Sequence, residues 1–286
     1  MEDNPLDNLL DLMADVLGFN REQFERFVCW AQYLYLAELQ RQHYMAWRPP
    51  APESEEGHAG WDLIWLQASF YAGLWAVVEG WPKVPLSDPV VDELLNANPQ
   101  YLDLLKRYRN SVFHFQPNFA EMMSRRRGLL REGTVASDWL IALHMEFCRV
   151  YWKALPPLGP ASPDSPHKYR EMEVKLCGEI RGCMRSLVGW IPDNVPEAHA
   201  ARLKGVAELA MARIREAGNF ESDEARRLLN IVAEVPHWIQ EGEFKHEQLT
   251  RGVIDRVRAT APDGDRRGDH TDQTNQGEQP GRGKPQ

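Results

Sequence analysis

Residues 134–155 read TVASDWLIALHMEFCRVYWKAL, and this stretch decides the fold class. Its large apolar side chains recur every three or four positions, which predicts an amphipathic α-helix with one buried face. These side chains are Trp139, Leu140, Leu143, Phe147, Val150 and Tyr151. No run of the chain alternates apolar and polar residues as a half-buried β-strand would, so we expect an all-α protein.

The same helical spacing continues on both sides of this stretch. Asn4, followed by Pro5, and Asn20 are plausible helix N-caps, and the segments Ser87-Asp-Pro and Asn98-Pro are typical helix starts. On these patterns we predict helices over 4–18, 20–47, 60–79, 87–96, 98–115, 119–130 and 134–155, and three or four more over about 167–190, 196–217, 222–241 and 243–259.

The chain divides into five predicted segments. A proline-rich linker separates two helical regions, and the C-terminal tail has neither periodicity nor large aliphatic residues, which predicts disorder. The segments are an N-terminal helix (1–19), a helical bundle (20–155), the linker (156–166), a C-terminal helical region (167–260) and the disordered tail (261–286).

Composition and charge limit the possible functions. The chain is 43% hydrophobic and 26% charged, as in ordinary globular proteins, and its net charge of −9 argues against coating duplex nucleic acid. The four cysteines lack zinc-site spacing, and the N-terminus lacks signal-peptide features. Asp62 and Gln67 interrupt the apolar stretch 61–78, which predicts a buried helix rather than a membrane span. We therefore expect a cytoplasmic protein without a membrane partner, a metal or another cofactor.

One short segment carries groups suited to phosphodiester chemistry. It reads RNSVFH over 109–114, and its Asn110 and His114 lie four residues apart, on one face of a helix, with Arg109 in reach. An arginine can hold a phosphate by two hydrogen bonds and offset developing negative charge. A histidine titrates near neutral pH and can take a proton from a hydroxyl or give one to a leaving oxygen.

RNSVFH resembles the Arg-polar-x3-His signature of HEPN domains, an all-helical superfamily named for nucleotide binding in higher eukaryotes and prokaryotes. The resemblance covers roughly 20–155 and is strongest over 70–119. It implies a bundle of about four or five helices, in which two copies of the motif meet across a homodimer interface and form a metal-independent endoribonuclease. It also implies that Arg109 and His114 are catalytic, that Asn110 assists them, and that the products carry 2′,3′-cyclic phosphate and 5′-hydroxyl ends.

The resemblance also suggests a setting in a microbial toxin or defence system, with an antitoxin or another protein partner. Gln116 departs from one subgroup, in which a tyrosine at this position is modified by a partner nucleotidyltransferase. We therefore do not expect regulation by that partner.

Further arginines near the motif are candidates for RNA binding. Arg107 precedes His114 by seven residues and competes with Arg109 for the role of the key arginine. Arg125, Arg126 and Arg127 could follow an RNA backbone beside the site, although such runs more often form a solvated helix face.

Other residues admit a functional and a purely structural interpretation. Glu79 could orient Arg109 or His114 from a facing helix, or end its own helix in solvent. We interpret His144, on the apolar face of its helix, as a satisfied and partly buried histidine rather than a catalyst. The aromatic residues from Trp61 to Trp75 could stack bases but are more typical of a core.

Two hypotheses follow. The first is a ribonuclease that cleaves single-stranded RNA by attack of its own 2′-hydroxyl, with Arg109 on the scissile phosphate and His114 as general base or acid. The alternative is a non-catalytic helical module that binds a nucleotide or a protein partner, with the region after residue 166 as its interaction surface. The alternative explains the acidic net charge more easily.

Overall fold

A computed structural model of the chain describes residues 5–47, 59–114, 117–156, 167–191, 195–217 and 223–261. Within these ranges every regular element is a helix and no strand occurs, which confirms the predicted all-α class. The helices are α1 (Pro5–Val16), α2 (Arg21–Ala46), α3 (Ala59–Gly80), α4 (Pro89–Ala97), α5 (Pro99–Phe113), α6 (Phe119–Arg131), α7 (Gly133–Ala154), α8 (His167–Val188), α9 (Pro196–Ala217) and α10 (Asp223–Thr260), with a 3₁₀ turn at Trp81–Lys83. None of the described helices has the length and apolar content of a membrane span.

Three helices begin where the sequence predicts helix starts, whereas the predicted cap Asn4 lies outside the described residues. The Asn20 side chain accepts from the backbone N–H of Gln23, and the Gln23 side chain accepts in return from the backbone of Asn20, both at 2.9 Å. Asp88 and Asn98 cap α4 and α5 in the same way, each by accepting from N–H groups of the first turn. These contacts satisfy donors that a helix start leaves without partners.

Aromatic side chains build the core between α2, α7 and the 3₁₀ turn. The Trp30 ring lies 5.9 Å from the rings of both Trp81 and Phe147. Its indole N–H donates to the carbonyl of Val77 at 3.1 Å, so the ring is buried without leaving a polar group unpaired.

α3 packs against α2, α5 and α7, which places most of its aromatic face inside the bundle. Phe70 and Tyr71 are buried, as predicted for a core helix, whereas Trp65 is half exposed. The side chain of Trp61 lies outside the described part of the chain.

The C-terminal helices extend the core of the bundle. α8 packs on α2, α9 packs along α10, and α10 also contacts α4 and α7. Met184 of α8 and Ile254 of α10 are buried in the same apolar cluster as Trp139. The predicted linker beyond Pro156, and the predicted tail beyond Ala261, lie outside the described residues.

Of the three or four helices predicted after the linker, the described residues form three, because the patterns over 222–241 and 243–259 belong to one helix. α10 runs unbroken from Asp223 to Thr260 through both Pro236 and Gly242. An interior proline removes a backbone hydrogen bond, and an interior glycine costs about 1 kcal/mol relative to alanine. The helix persists because α9, α7 and α4 pack along it, and tertiary packing outweighs these local penalties.

Candidate functional site

The predicted motif lies at the C-terminal end of α5. This helix packs on α3 and α6, and its buried side chains include Tyr101, Leu105 and Tyr108. It ends at Phe113, two residues earlier than predicted. His114 is the C-cap residue, with an extended backbone and an N–H that donates to the carbonyl of Asn110 at 3.3 Å. The helical spacing of Asn110 and His114 therefore ends at His114, whose backbone is extended rather than helical.

The guanidinium of Arg109 contacts the side chains of both Asn110 and His114. Its Nη1 donates to Oδ1 of Asn110 at 3.0 Å and lies 3.0 Å from Nε2 of His114. These contacts use both hydrogens of Nη1, and no residue in the described part of the chain accepts from Nε or Nη2. A guanidinium edge of this kind can bind a phosphate by two parallel hydrogen bonds.

The contact with Arg109 occupies one nitrogen of the His114 ring. A guanidinium offers only donors and keeps its charge in proteins, so Arg109 donates and Nε2 of His114 accepts. Neutral imidazole is the form that acts as a general base, but Nε2 becomes available only when Arg109 turns to another acceptor.

A cavity of about 330 Å³ opens beside Arg109, between α2, the end of α3 and the 3₁₀ turn. Arg26, Lys83 and Arg109 line its wall, as does the carboxylate of Glu79, and Arg26 also pairs with Glu22 on its own helix. Tyr33, whose side chain is half exposed, also lines it. The volume lies at the lower end of the range for small-molecule sites, and the charge favours an anion such as a phosphate group.

Asn110 and His114 contact the guanidinium of Arg109, but neither residue lines this cavity. Glu79 does line the cavity, as the penultimate residue of α3, and its side chain is exposed. No ion pair joins Glu79 to Arg109 among the described residues, so its orienting role stays a prediction.

The structure distinguishes the two candidate arginines. The guanidinium of Arg107 is exposed and pairs with Asp103, one helical turn earlier on α5. Of these two arginines, Arg109 is the one that contacts His114.

The basic run on α6 is separate from the cavity beside Arg109. Arg125 pairs with Glu121 on its own helix, and Arg127 is exposed. Neither side chain lines the cavity. The side chain of Arg126 lies outside the described part of the chain, and RNA binding by all three stays a prediction.

Sequence reasoning missed Arg26, Tyr33 and Lys83. Each lies far from residue 109 in the chain and reaches the cavity only because α2, α3 and α5 pack together. No local spacing rule links residues that are brought together only by tertiary packing.

A second polar cluster lies in the core between α2 and α7. His144 is fully buried rather than partly buried, and its Nε2 lies 2.7 Å from Oε2 of Glu38 and 3.4 Å from Sγ of Cys148. Burial is the largest influence on the pKa of Glu38 and raises it, but hydrogen bonds from Arg41 and His144 outweigh burial and lower that pKa to about 2. Burial also lowers the pKa of His144.

Comparison with known proteins identifies no relative. The chain matches no family model, and no curated protein and no solved structure is significantly similar to it. The structure therefore defines an all-α protein in which an arginine–histidine contact lies beside a cavity lined by cations. The resemblance to HEPN domains rests on the sequence motif over 109–114 alone.

Proposed function

We propose that the protein is an endoribonuclease that cleaves single-stranded RNA by attack of the RNA's own 2′-hydroxyl. The observation that carries the proposal is the contact of Arg109 with both Asn110 and His114, on the wall of a cavity with two further cations. The reaction needs a cation at the phosphate and a group that moves a proton, and no metal takes part in it.

The steps follow from the observed contacts. The scissile phosphate binds the Nε–Nη2 edge of Arg109 and draws the guanidinium away from His114. Nε2 of the neutral imidazole then takes the proton of the 2′-hydroxyl as its oxygen attacks phosphorus. The bond from phosphorus to the 5′-oxygen breaks, and this oxygen takes up a proton. The products carry a 2′,3′-cyclic phosphate and a 5′-hydroxyl.

We further propose that two chains form a homodimer, as the resemblance implies, in which the two copies of the motif meet across the interface. The imidazolium formed when His114 takes the 2′-hydroxyl proton then supplies a proton to the leaving oxygen. Phe113, next to His114, is 58% exposed, which gives the motif an apolar neighbour suited to such a seam. A cytoplasmic toxin or defence setting, with a restraining protein partner, is part of the same proposal.

One observation favours the alternative of a nucleotide-binding module. His114 does not line the cavity, whereas Arg26, Lys83 and Arg109 do, with Tyr33 beside them. Such walls can hold the phosphates and the base of a nucleotide without cleaving it.

The test is cleavage of labelled single-stranded RNA in excess EDTA, with analysis of the product ends. We expect cleavage that leaves cyclic phosphates, and we expect His114→Ala to lower the rate by roughly 10²–10⁴-fold, the usual contribution of general acid–base catalysis. His43→Ala is the matched control, because His43 is also an exposed histidine at a helix end.

Well-folded wild-type protein that binds RNA without cleaving a broad set of sequences would overturn the catalytic proposal and favour the nucleotide-binding module. Cleavage that His114→Ala leaves unchanged would show that another residue moves the proton.

A further inference from the structure

Three different metal-ligand side chains converge at one point in the core. Glu38 comes from the middle of α2, while His144 and Cys148 lie one turn apart on α7. All three side chains are buried, and one donor atom of each lies within 4.8 Å of the other two. This cluster does not line the cavity beside Arg109 and plays no part in the proposed reaction.

A proton on the ring nitrogen fully engages only two of the three groups. The carboxylate of Glu38 and the thiol of Cys148 are both directed at the same ring atom, Nε2 of His144, at 2.7 Å and 3.4 Å. A nitrogen of neutral imidazole carries at most one proton, so it cannot donate fully to both partners. A cation held between a nitrogen, an oxygen and a sulfur satisfies all three at once.

The neighbours of Glu38 hold its carboxylate ready for such an ion. Arg41 donates to both of its oxygens, at 2.7 Å and 2.9 Å, and Gln42 donates to Oε1 at 2.8 Å. Oε2 therefore retains one lone pair, on the side of the carboxylate that faces His144. Metal-binding carboxylates are typically oriented by hydrogen bonds of this kind from surrounding residues.

We propose that Glu38, His144 and Cys148 bind a structural zinc ion that ties α2 to α7. Zinc binds nitrogen at about 2.0–2.1 Å, carboxylate oxygen at about 2.0–2.2 Å and thiolate sulfur at about 2.3 Å, so the observed donor separations need only small shifts to receive it. On binding, the Cys148 thiol releases its proton to solvent as the S–Zn bond forms. The ring proton of His144 resides on Nδ1, and one coordination position remains for a water molecule.

The surroundings of the site determine how the zinc ion enters and how tightly it binds. With no exposed ligand, the ion enters during folding and does not meet a substrate. No described residue is a hydrogen-bond partner of His144 Nδ1, so we expect affinity roughly 10–100-fold below that of a zinc site with complete supporting hydrogen bonds.

The test uses the full chain, produced in cells grown with added zinc and purified without chelator, followed by metal analysis. We expect close to one zinc ion per chain. Protein produced with cobalt in place of zinc should show the near-ultraviolet absorption of a cobalt–thiolate bond and the intense visible bands of a tetrahedral ion. These readouts are independent of RNA cleavage, so the zinc proposal and the ribonuclease proposal fail separately.

Cys148→Ser should lose the thiolate absorption and most of the bound metal, whereas Cys183→Ser, a change at a half-buried cysteine on α8, should keep both. Glu38→Gln provides a second variant if Cys148→Ser folds poorly, and it should also lose metal. Wild-type protein with substoichiometric zinc and no cobalt–thiolate absorption would overturn the proposal, whatever the behaviour of the variants. Metal retained in Cys148→Ser would overturn it as well.

Discussion

Asp88 has two separable contributions to stability. Its Oδ1 accepts from the backbone N–H groups of Val90 and Val91, at 3.0 Å and 3.2 Å, and caps α4. The same oxygen accepts from Nη2 of Arg149 at 2.6 Å, and the side chain of this arginine is only 9% exposed. The cap contributes about 1 kcal/mol, and a hydrogen bond to a buried charged group contributes about 2 kcal/mol.

We therefore expect Asp88→Ala to lower the free energy of unfolding by about 3 kcal/mol. Asp88→Asn should cost about 1–2 kcal/mol, because asparagine caps a helix as well as aspartate does but weakens the bond to Arg149. Urea unfolding followed by far-ultraviolet circular dichroism measures both values.

The matched control is Asn20→Ala, which removes an exposed cap without an ion pair and should cost about 1 kcal/mol. If Asp88→Ala costs no more than Asn20→Ala, the contact with Arg149 contributes nothing and the reasoning is refuted. If Asp88→Asn costs as much as Asp88→Ala, the cap contributes nothing.

Three further predictions concern the core and the cavity. The first concerns protein that is folded in the presence of EDTA. The lowered pKa of Glu38 corresponds there to about 3 kcal/mol in the free energy of unfolding. This contribution is complete above pH 4.5 and is lost as the pH falls toward about 2. Acid titration of unfolding should show this loss, and Glu38→Gln should remove it. Gly80→Ala should cost about 1–3 kcal/mol in urea unfolding, because its new Cβ would lie 2.9 Å from Cδ1 of buried Trp30, whereas Gly178→Ala, with open space, should not destabilise. Lys83→Ala should weaken RNA binding and reduce its salt dependence by about one released ion, as measured by fluorescence anisotropy.

Local chemistry explains which parts of the fold can be predicted from the sequence. The caps Asn20, Asp88 and Asn98 act within one turn of themselves, and their residue types identify the starts of α2, α4 and α5. The continuity of α10 depends instead on the helices packed along it, so Pro236 and Gly242 suggest a break that does not occur.

The candidate site likewise has a part that the sequence predicts and a part that only tertiary packing brings together. Arg109 and His114 are close enough in sequence for their contact to be expected from spacing, although the helix ends before His114. The cations that complete the cavity come from other helices and have no sequence signature. His144 and Cys148 have helical spacing, but Glu38 lies 106 residues from His144, so only the fold shows that the three converge.

The most direct test of the proposed function compares two arginines on the same helix. We would measure RNA cleavage in EDTA for Arg109→Ala and for Arg107→Ala, which removes an exposed guanidinium whose ion-pair partner among the described residues is Asp103. Arg109→Ala should lower the rate by on the order of 10²-fold or more, because it removes the cation expected at the phosphate. Arg107→Ala should stay within about twofold of wild type, as exposed ion pairs contribute little. Equal rates for the two variants, or a loss confined to Arg107→Ala, would contradict the assignment of Arg109 and His114 as the catalytic pair.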